Sequence, residues 1–119
     1  MSETINYIEF GSNHLAASRS FFESAFGWRF TDYGADYTAF DGAGLQGGLY
    51  RGERGSRVDQ GGALVVLYSD NLEASLEKVS ALGAQICRPV FAFPGGRRFH
   101  FVEPGGNELA IWSDKEPLV

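Results

Sequence analysis

Two stretches with a helical repeat alternate with short segments of strand-forming residues along this chain. Apolar side chains recur at helical spacing over residues 15–26 and 72–82, and each stretch is followed by a glycine, Gly27 or Gly83. Asn13 precedes the first stretch and is the expected N-cap. The remaining apolar or alternating segments predict strands over residues 5–10, 28–31, 37–40, 45–50, 64–68, 85–88, 98–102 and 109–112. The order of elements is β-α-β-β-β, repeated twice.

The two halves also resemble each other in sequence. The segment NHLAAS at 13–18 corresponds to DNLEAS at 70–75, and the end of the first half, 41–50, corresponds to 103–112. A repeated half-size unit indicates a fold built from paired modules. We therefore predict one α+β domain over residues 1–119, with modules at 4–50 and 63–113 and a polar, glycine-rich linker at 51–62.

Strand alternation assigns a face to each side chain of the first strand. Ile8 and Phe10 share one face, and we expect them to pack on the apolar side of the first helix. Tyr7 and Glu9 then point to the opposite face. The repeat places Leu64 and Val66 at the corresponding positions of the second half.

Composition and charge limit the partners of the protein. Apolar residues make up 44% of the 119 residues, charged residues make up 21%, and the net charge is −5. Basic residues do not cluster, so neither nucleic acid nor an anionic membrane is an expected partner. The longest apolar run is too short to span a bilayer. Cys87 is the single cysteine, and a cytoplasmic location is expected. Cys87 itself is expected to be a small buried apolar residue.

Two motifs resemble those of a known family. Residues 15–28, LAASRSFFESAFGW, are similar to the first helix of the glyoxalase / bleomycin-resistance / extradiol-dioxygenase group, the vicinal oxygen chelate superfamily. Residues 99–107, FHFVEPGGN, are similar to the turn that precedes the last strand in that family. The resemblance implies two βαβββ modules whose sheets curve around a shared cavity, and it implies a homodimer.

The resemblance also implies a divalent metal held by four residues from the first and last strands of the modules. In this sequence the four positions are Tyr7, Gly48, Leu64 and Ala110. Leucine, glycine and alanine side chains cannot ligate a metal, and neutral tyrosine is a rare ligand. We therefore expect no metal and no cofactor. The alternative is a divalent metal on displaced ligands, for which the candidates are Glu9, Glu108 and His100.

The same alternation selects candidate residues for a binding cavity. A carboxylate in an apolar strand costs several kcal/mol unless it is paired, so we expect Glu9 to have Arg98 or His100 as its partner. Arg97 and Arg98 are consecutive, and at most one of them can face the cavity. The predicted ligand-binding residues are Tyr7, Glu9, Thr38, Leu64, Val66, Arg98, His100 and Trp112. Glu9 and His100 are the catalytic candidates if the protein is an enzyme.

Three interpretations of function follow. The first is a metal-independent protein that binds a small organic molecule in an aromatic cavity. The second is a lyase, isomerase or dioxygenase of the same superfamily that uses Glu9 and His100, with or without a displaced metal. The third is a purely structural role in assembly. The sequence leaves open whether the protein is an enzyme.

Overall fold

The computed structural model describes residues 2–117 and shows the predicted order of elements in both halves. The first module contains β1 (Tyr7–Ser12), α1 (Leu15–Phe26), β2 (Arg29–Asp32), β3 (Tyr37–Asp41) and β4 (Gln46–Arg51). The second module contains β5 (Val65–Tyr68), α2 (Leu72–Ala81), β6 (Gln85–Phe93), β7 (Gly96–Val102) and β8 (Glu108–Ser113). A single 3₁₀ turn, Val58–Gln60, lies in the linker. Neither of the two described helices is long and apolar enough to cross a bilayer.

Each module forms its own four-stranded mixed sheet. The strand order is β1-β4-β3-β2 in the first sheet and β5-β8-β7-β6 in the second. The first and last strands of each module are parallel neighbours, and the other pairs are antiparallel. The two sheets thus have the same topology, and the predicted α+β fold of two βαβββ modules is confirmed.

The helix-facing sides of the sheets form the hydrophobic core. Phe10 of β1 belongs to the same buried cluster as Phe21 and Phe22 of α1, as alternation predicted. The rings of Phe22 and Trp28 stack at a centroid distance of 4.6 Å, and Phe21 lies 5.9 Å from Phe101 of the second module. The core is therefore continuous from one module to the other.

The start of α1 differs from the prediction. The N-cap is His14 rather than Asn13, and the His14 side chain makes no capping hydrogen bond. Instead, the Ser12 hydroxyl accepts a hydrogen bond from the His14 N–H at 3.1 Å. The other end agrees with the sequence, because Gly27 caps the helix with a φ of 72°, which favours glycine.

Strand β6 is longer than the sequence indicated. The prediction ended at Arg88, just before Pro89, but the strand continues to Phe93. Its pairing with β7 is irregular between Arg88 and Phe91, and β6 is an edge strand. Proline is tolerated at edges and bulges because no ladder hydrogen bond is needed there. This extension brings Phe91 and Phe93 into the second sheet.

A buried polar network joins the two modules. The carboxylate of Glu103 accepts hydrogen bonds from Ser18 Oγ at 2.8 Å and from the Gly105 N–H at 2.5 Å. Asn107 Nδ2 donates to Glu103 at 2.7 Å and to the Gly11 carbonyl at 2.7 Å. The network ties β1 and α1 to the turn between β7 and β8, and so sets the relative position of the two sheets.

Candidate functional site

Three polar side chains meet on the first sheet, on the face opposite α1. Tyr37 donates its hydroxyl proton to Glu9 Oε2 at 2.8 Å, and its oxygen lies 2.5 Å from the hydroxyl of Tyr7. Burial, and then the hydrogen bonds with Tyr7 and Glu9, raise the pKa of Tyr37 far above its ordinary value. Tyr37 is therefore a neutral donor that holds the Glu9 carboxylate in place.

Tyr37 also covers Gly48. A Cβ atom built on Gly48 would overlap the hydroxyl and ring of Tyr37. Gly48 is one of the four positions at which the family resemblance implies a metal ligand. In this chain the space for a side chain at that position is filled by a tyrosine ring from the neighbouring strand, since Gly48 and Ala39 pair across β3 and β4.

The environment of Glu9 differs from the prediction. We expected a buried carboxylate paired with Arg98 or His100, but Glu9 is exposed and its partner is Tyr37. This face of the first sheet is open to solvent in the single chain, and Tyr7 beside it is 42% exposed. The desolvation cost that motivated a cationic partner therefore does not arise.

Thr38 does not belong to the open face. It is 1% exposed, donates to the Thr31 carbonyl at 3.3 Å, and shares the core-facing side of β3 with Phe40. The sequence correspondence between residues 41–50 and 103–112, extended back along each chain segment, aligns Thr38 with His100, but the two hairpins differ in length by one residue. Ala39 pairs with Gly48 in the first module.

In the second module, His100 pairs with Ala110, the counterpart of Gly48. The structural counterpart of His100 is therefore Ala39, and that of Arg98 is Tyr37. A shift of one residue moves a side chain to the other face of a strand. The sequence repeat alone does not show the difference in hairpin length.

A buried dyad occupies the second sheet. His100 Nδ1 lies 2.9 Å from Glu108 Oε2, and the two residues are 3% and 8% exposed. Burial alone would raise the pKa of Glu108, but hydrogen bonds from His100, the Val58 N–H and Arg57 together hold that pKa below its ordinary value. An ionised Glu108 accepts a hydrogen bond from the Nδ1–H group of His100. His100 Nε2 is buried and has no hydrogen-bond partner among the described residues.

The remaining predicted residues of the second module lie around this dyad. Arg98 pairs with Trp112 in the sheet, and Val66 pairs with Ala110. Val66 is 42% exposed, and Leu64 is half-buried just before β5 begins. Val66, Arg98 and Trp112 line one small cavity, whereas Leu64 is not among its lining residues.

The two adjacent arginines separate as alternation requires. Arg97 binds Glu73 of α2, with Nη1 at 2.5 Å from Oε2, and so lies on the helix side of the sheet. Arg98 lies on the other face, with its guanidinium carbon 5.4 Å from the centre of the Phe93 ring. Of Arg97 and Arg98, only Arg98 is available to a ligand on the open face.

Cys87 was expected to be buried, but it is exposed. It lines a cavity of about 270 Å³ together with His100 and Glu108. Partial burial and the nearby Glu108 charge raise the pKa of the Cys87 thiol. The residue sits on a strand edge instead of in the core because β6 is the outermost strand of its sheet.

Glu9 and His100 are not brought together. A cavity of about 400 Å³ lies against Tyr7 and Tyr37, and its lining residues all come from the first module. The cavity at His100 is lined by the linker and the second module. Each of the two catalytic candidates is hydrogen-bonded within its own module, to Tyr37 and to Glu108 respectively.

The residues present do not fit the metal that the resemblance implies. Gly48, Leu64 and Ala110 offer no side-chain donor, and Tyr37 occupies the space above Gly48. Glu108, one of the three candidates for a displaced ligand, already accepts hydrogen bonds from His100 and the linker. Within residues 2–117 no group of three His, Cys, Asp or Glu side chains is arranged to hold a metal ion.

Comparison with solved structures identifies proteins of the same fold. The fosfomycin resistance protein FosX from Listeria monocytogenes has a TM-score of 0.78 at 18% identity, covering 95% of this chain and 94% of that one. A mutant of FosX from the same organism, complexed with Mn(II) and a dihydroxypropylphosphonic acid, has a TM-score of 0.73 at 18% identity, with coverage of 94% and 90%. Lactoylglutathione lyase from Agrobacterium tumefaciens has a TM-score of 0.71 at 17% identity and covers 95% of both chains.

A search of curated proteins finds no match. The model of the Glyoxalase/Bleomycin resistance protein/Dioxygenase superfamily matches residues 4–111, which include both modules and the linker. That span confirms the resemblance seen in the first helix and in the turn before the last strand. The chain belongs to the Glyoxalase/Bleomycin resistance protein/Dioxygenase superfamily.

Proposed function

We propose that this protein binds a small organic molecule on the open faces of its sheets without the metal ion that the family resemblance implies. The observation that carries the proposal is the position of Tyr37. Its ring fills the space above Gly48, and its hydroxyl is bonded to both Tyr7 and Glu9. The neutral hydroxyls and the carboxylate form a polar end for a binding surface whose other side chains are largely aromatic.

The separation of Glu9 from His100 favours binding over acid–base catalysis by this pair within one chain. A general acid and a general base must both reach the reacting atoms. Glu9 is held by Tyr37 in the first module, whereas His100 is held by Glu108 in the second. These contacts support a recognition role for each group in its own module.

The metal-free interpretation predicts a specific outcome for protein purified without a metal-affinity tag. Elemental analysis should find less than stoichiometric Mn, Fe, Ni and Zn, because three of the four implied ligand positions lack a side-chain donor and the fourth, Tyr7, is a rare ligand. Ligand-observed NMR with a panel of small aromatic molecules should give the same affinities in EDTA and in added Mn²⁺. Stoichiometric metal, or binding abolished by EDTA, would show that the ligands have moved to other residues.

We infer further that a second copy of the chain covers these faces in a homodimer. Large side chains on the faces opposite the helices are well exposed in the single chain, namely Tyr7 at 42%, Tyr50 at 46%, Val66 at 42% and Tyr68 at 50%. Large apolar side chains that are exposed on the same face of a sheet are candidates for an interaction site. A partner would also close the cavities, which are open on the single chain.

The dimer is tested by placing a charge on the covered face. Val66→Glu should convert a dimer into a monomer in light scattering coupled to size exclusion, because burying an unpaired carboxylate opposes association. Leu82→Glu is the matched control, since Leu82 is 38% exposed and follows α2 on the helix side. A monomeric wild type, or equal behaviour of the two variants, would contradict the inference.

A further inference from the structure

We propose that the second sheet binds the acidic group of a small aromatic acid, with Arg88 and Arg98 as the anion-binding residues. The inference rests on the proposed small-molecule function and names its ligand class. The two arginines lie on adjacent strands, since Arg88 pairs with His100 and Phe91 pairs with Arg98. Both belong to the face that carries the buried His100–Glu108 dyad.

A single aromatic ring holds both guanidinium groups. The guanidinium carbon of Arg88 lies 3.8 Å from the centre of the Phe91 ring, and that of Arg98 lies 5.2 Å from it. Both distances are within the range of cation–π attraction. Stacking reduces the conformational freedom that a long side chain loses on binding, so the two cations are oriented before a ligand arrives.

Neither cation is neutralised within the part of the chain that the structure describes. Five of the eight arginines form ion pairs, namely Arg19, Arg29, Arg51, Arg57 and Arg97. Arg88 and Arg98 form none, although the chain carries a net charge of −5 and has abundant acids. Asp59 lines the cavity beside Arg88 but makes no ion pair with it. Two like charges on one ring repel each other, and an anion between them would relieve that repulsion.

An unpartnered buried nitrogen points to the same ligand. Arg98 Nε is buried and has no hydrogen-bond partner among the described residues. Buried polar atoms are normally hydrogen-bonded, and an exception calls for a specific explanation. A carboxylate has two acceptor oxygens and binds an arginine through parallel hydrogen bonds, which would satisfy Arg98 Nε.

An apolar cavity next to Arg98 indicates what is attached to the acid. It has a volume of about 210 Å³ and is lined by Val66, Phe93, Gly95, Arg98 and Trp112. The rings of Phe93 and Trp112 lie 6.1 Å apart at an interplanar angle of 67°. Such a small apolar space accommodates a single ring rather than an extended ligand. The structure thus places a cationic site next to an apolar cavity with aromatic walls.

Benzoate and its neutral isostere benzamide test the proposal directly. Titrations by calorimetry or NMR should show that the wild-type protein binds benzoate at least about tenfold more tightly than benzamide, because charge-assisted hydrogen bonds are the stronger kind. Arg88→Gln and Arg98→Gln should each remove most of that preference and leave benzamide affinity unchanged. Arg54→Gln is the matched control, since Arg54 lies in the linker and forms no ion pair with a described residue.

The outcomes separate this inference from the proposed function. Equal affinity for benzoate and benzamide, or a benzoate preference that survives both substitutions, would overturn the anion site while leaving small-molecule binding intact. If no member of the aromatic panel binds, the proposed function itself fails. Arg98→Lys guards against a folding defect, because it keeps the charge and should retain part of the benzoate preference.

Discussion

Replacing Asn107 with alanine is expected to lower the free energy of unfolding by about 3–5 kcal/mol. The Asn107 side chain is fully buried and makes three hydrogen bonds, of which the one to Gly11 crosses to the first module and the one from Ser56 comes from the linker. Its Nδ2 donates to Gly11 and Glu103, and its Oδ1 accepts from the Ser56 N–H at 2.7 Å. Alanine would remove the side-chain partner of the buried Gly11 carbonyl, of the half-buried Ser56 N–H and of one oxygen of the buried Glu103 carboxylate.

Urea denaturation of the wild-type protein and of Asn107→Ala measures this loss of unfolding free energy. Asn13→Ala is the matched control at the same junction, since the Asn13 side chain is exposed, and its loss should stay within about 0.5 kcal/mol. A loss below about 1 kcal/mol for Asn107→Ala would mean that water replaces the amide, and that the network is not what joins the modules.

Replacing Glu108 with glutamine is expected to destabilise the protein by about 2–3 kcal/mol near neutral pH. Glu108 accepts hydrogen bonds from His100 Nδ1 at 2.9 Å and from the Val58 N–H at 3.1 Å. Glutamine has nearly the same shape but no charge, so the hydrogen bonds lose their ionic part. Thermal or chemical unfolding of Glu77→Gln, an exposed position on α2, is the control and should show almost no change.

The difference in stability between wild type and Glu108→Gln should depend on pH in one direction. The folded-state pKa of Glu108 lies below its ordinary value, so its ionised form stabilises the folded protein. That contribution is complete above the ordinary carboxyl pKa of about 4.3 and is lost as the pH falls through the folded-state value. The gap between wild type and Glu108→Gln should therefore narrow as the pH falls below about 5. A gap that widens in acid would contradict the assignment of Glu108 as an ionised acceptor.

The proposed anion site would change how the His100–Glu108 dyad is understood. Without a ligand, the dyad is a buried hydrogen-bonded pair that connects the linker to the second sheet. With a carboxylate at Arg98, His100 would lie beside the ligand on the same face of β7, held in its orientation by Glu108. Glu108→Gln should then weaken benzoate binding as well as stability, whereas a purely structural dyad would change stability alone.

Local sequence determined the architecture of this protein. Helical periodicity located α1 and α2, and glycine at the end of α1 adopts the left-handed conformation that the sequence indicated. The internal repeat predicted two βαβββ modules, and both sheets have that topology. These features depend on residues that are close in the chain or on the likeness of the two halves, so the sequence is sufficient to predict them. Alternation also placed Phe10 in the core and Tyr7 outside it.

The site was decided by contacts between distant segments. A difference of one residue in hairpin length places Tyr37, instead of Thr38, beside Glu9 and over Gly48. No pattern within either strand records that length difference, because both faces of β3 carry residues suited to a sheet. Only the register of β3 against β4 shows which side chain reaches the open face.

Contacts between distant segments also decided which polar side chains meet in the second module. The Glu108 side chain reaches His100 because β7 and β8 are adjacent strands. The linker also folds back, so that the Val58 N–H reaches the same carboxylate. Arg88 and Arg98 both reach the Phe91 ring because β6 continues past Pro89 along the edge of the sheet. Charge partners are set by distances in space, and sequence separation carries no information about them. The sequence by itself therefore determined the modules and their faces, whereas the tertiary structure decided which side chains on those faces meet.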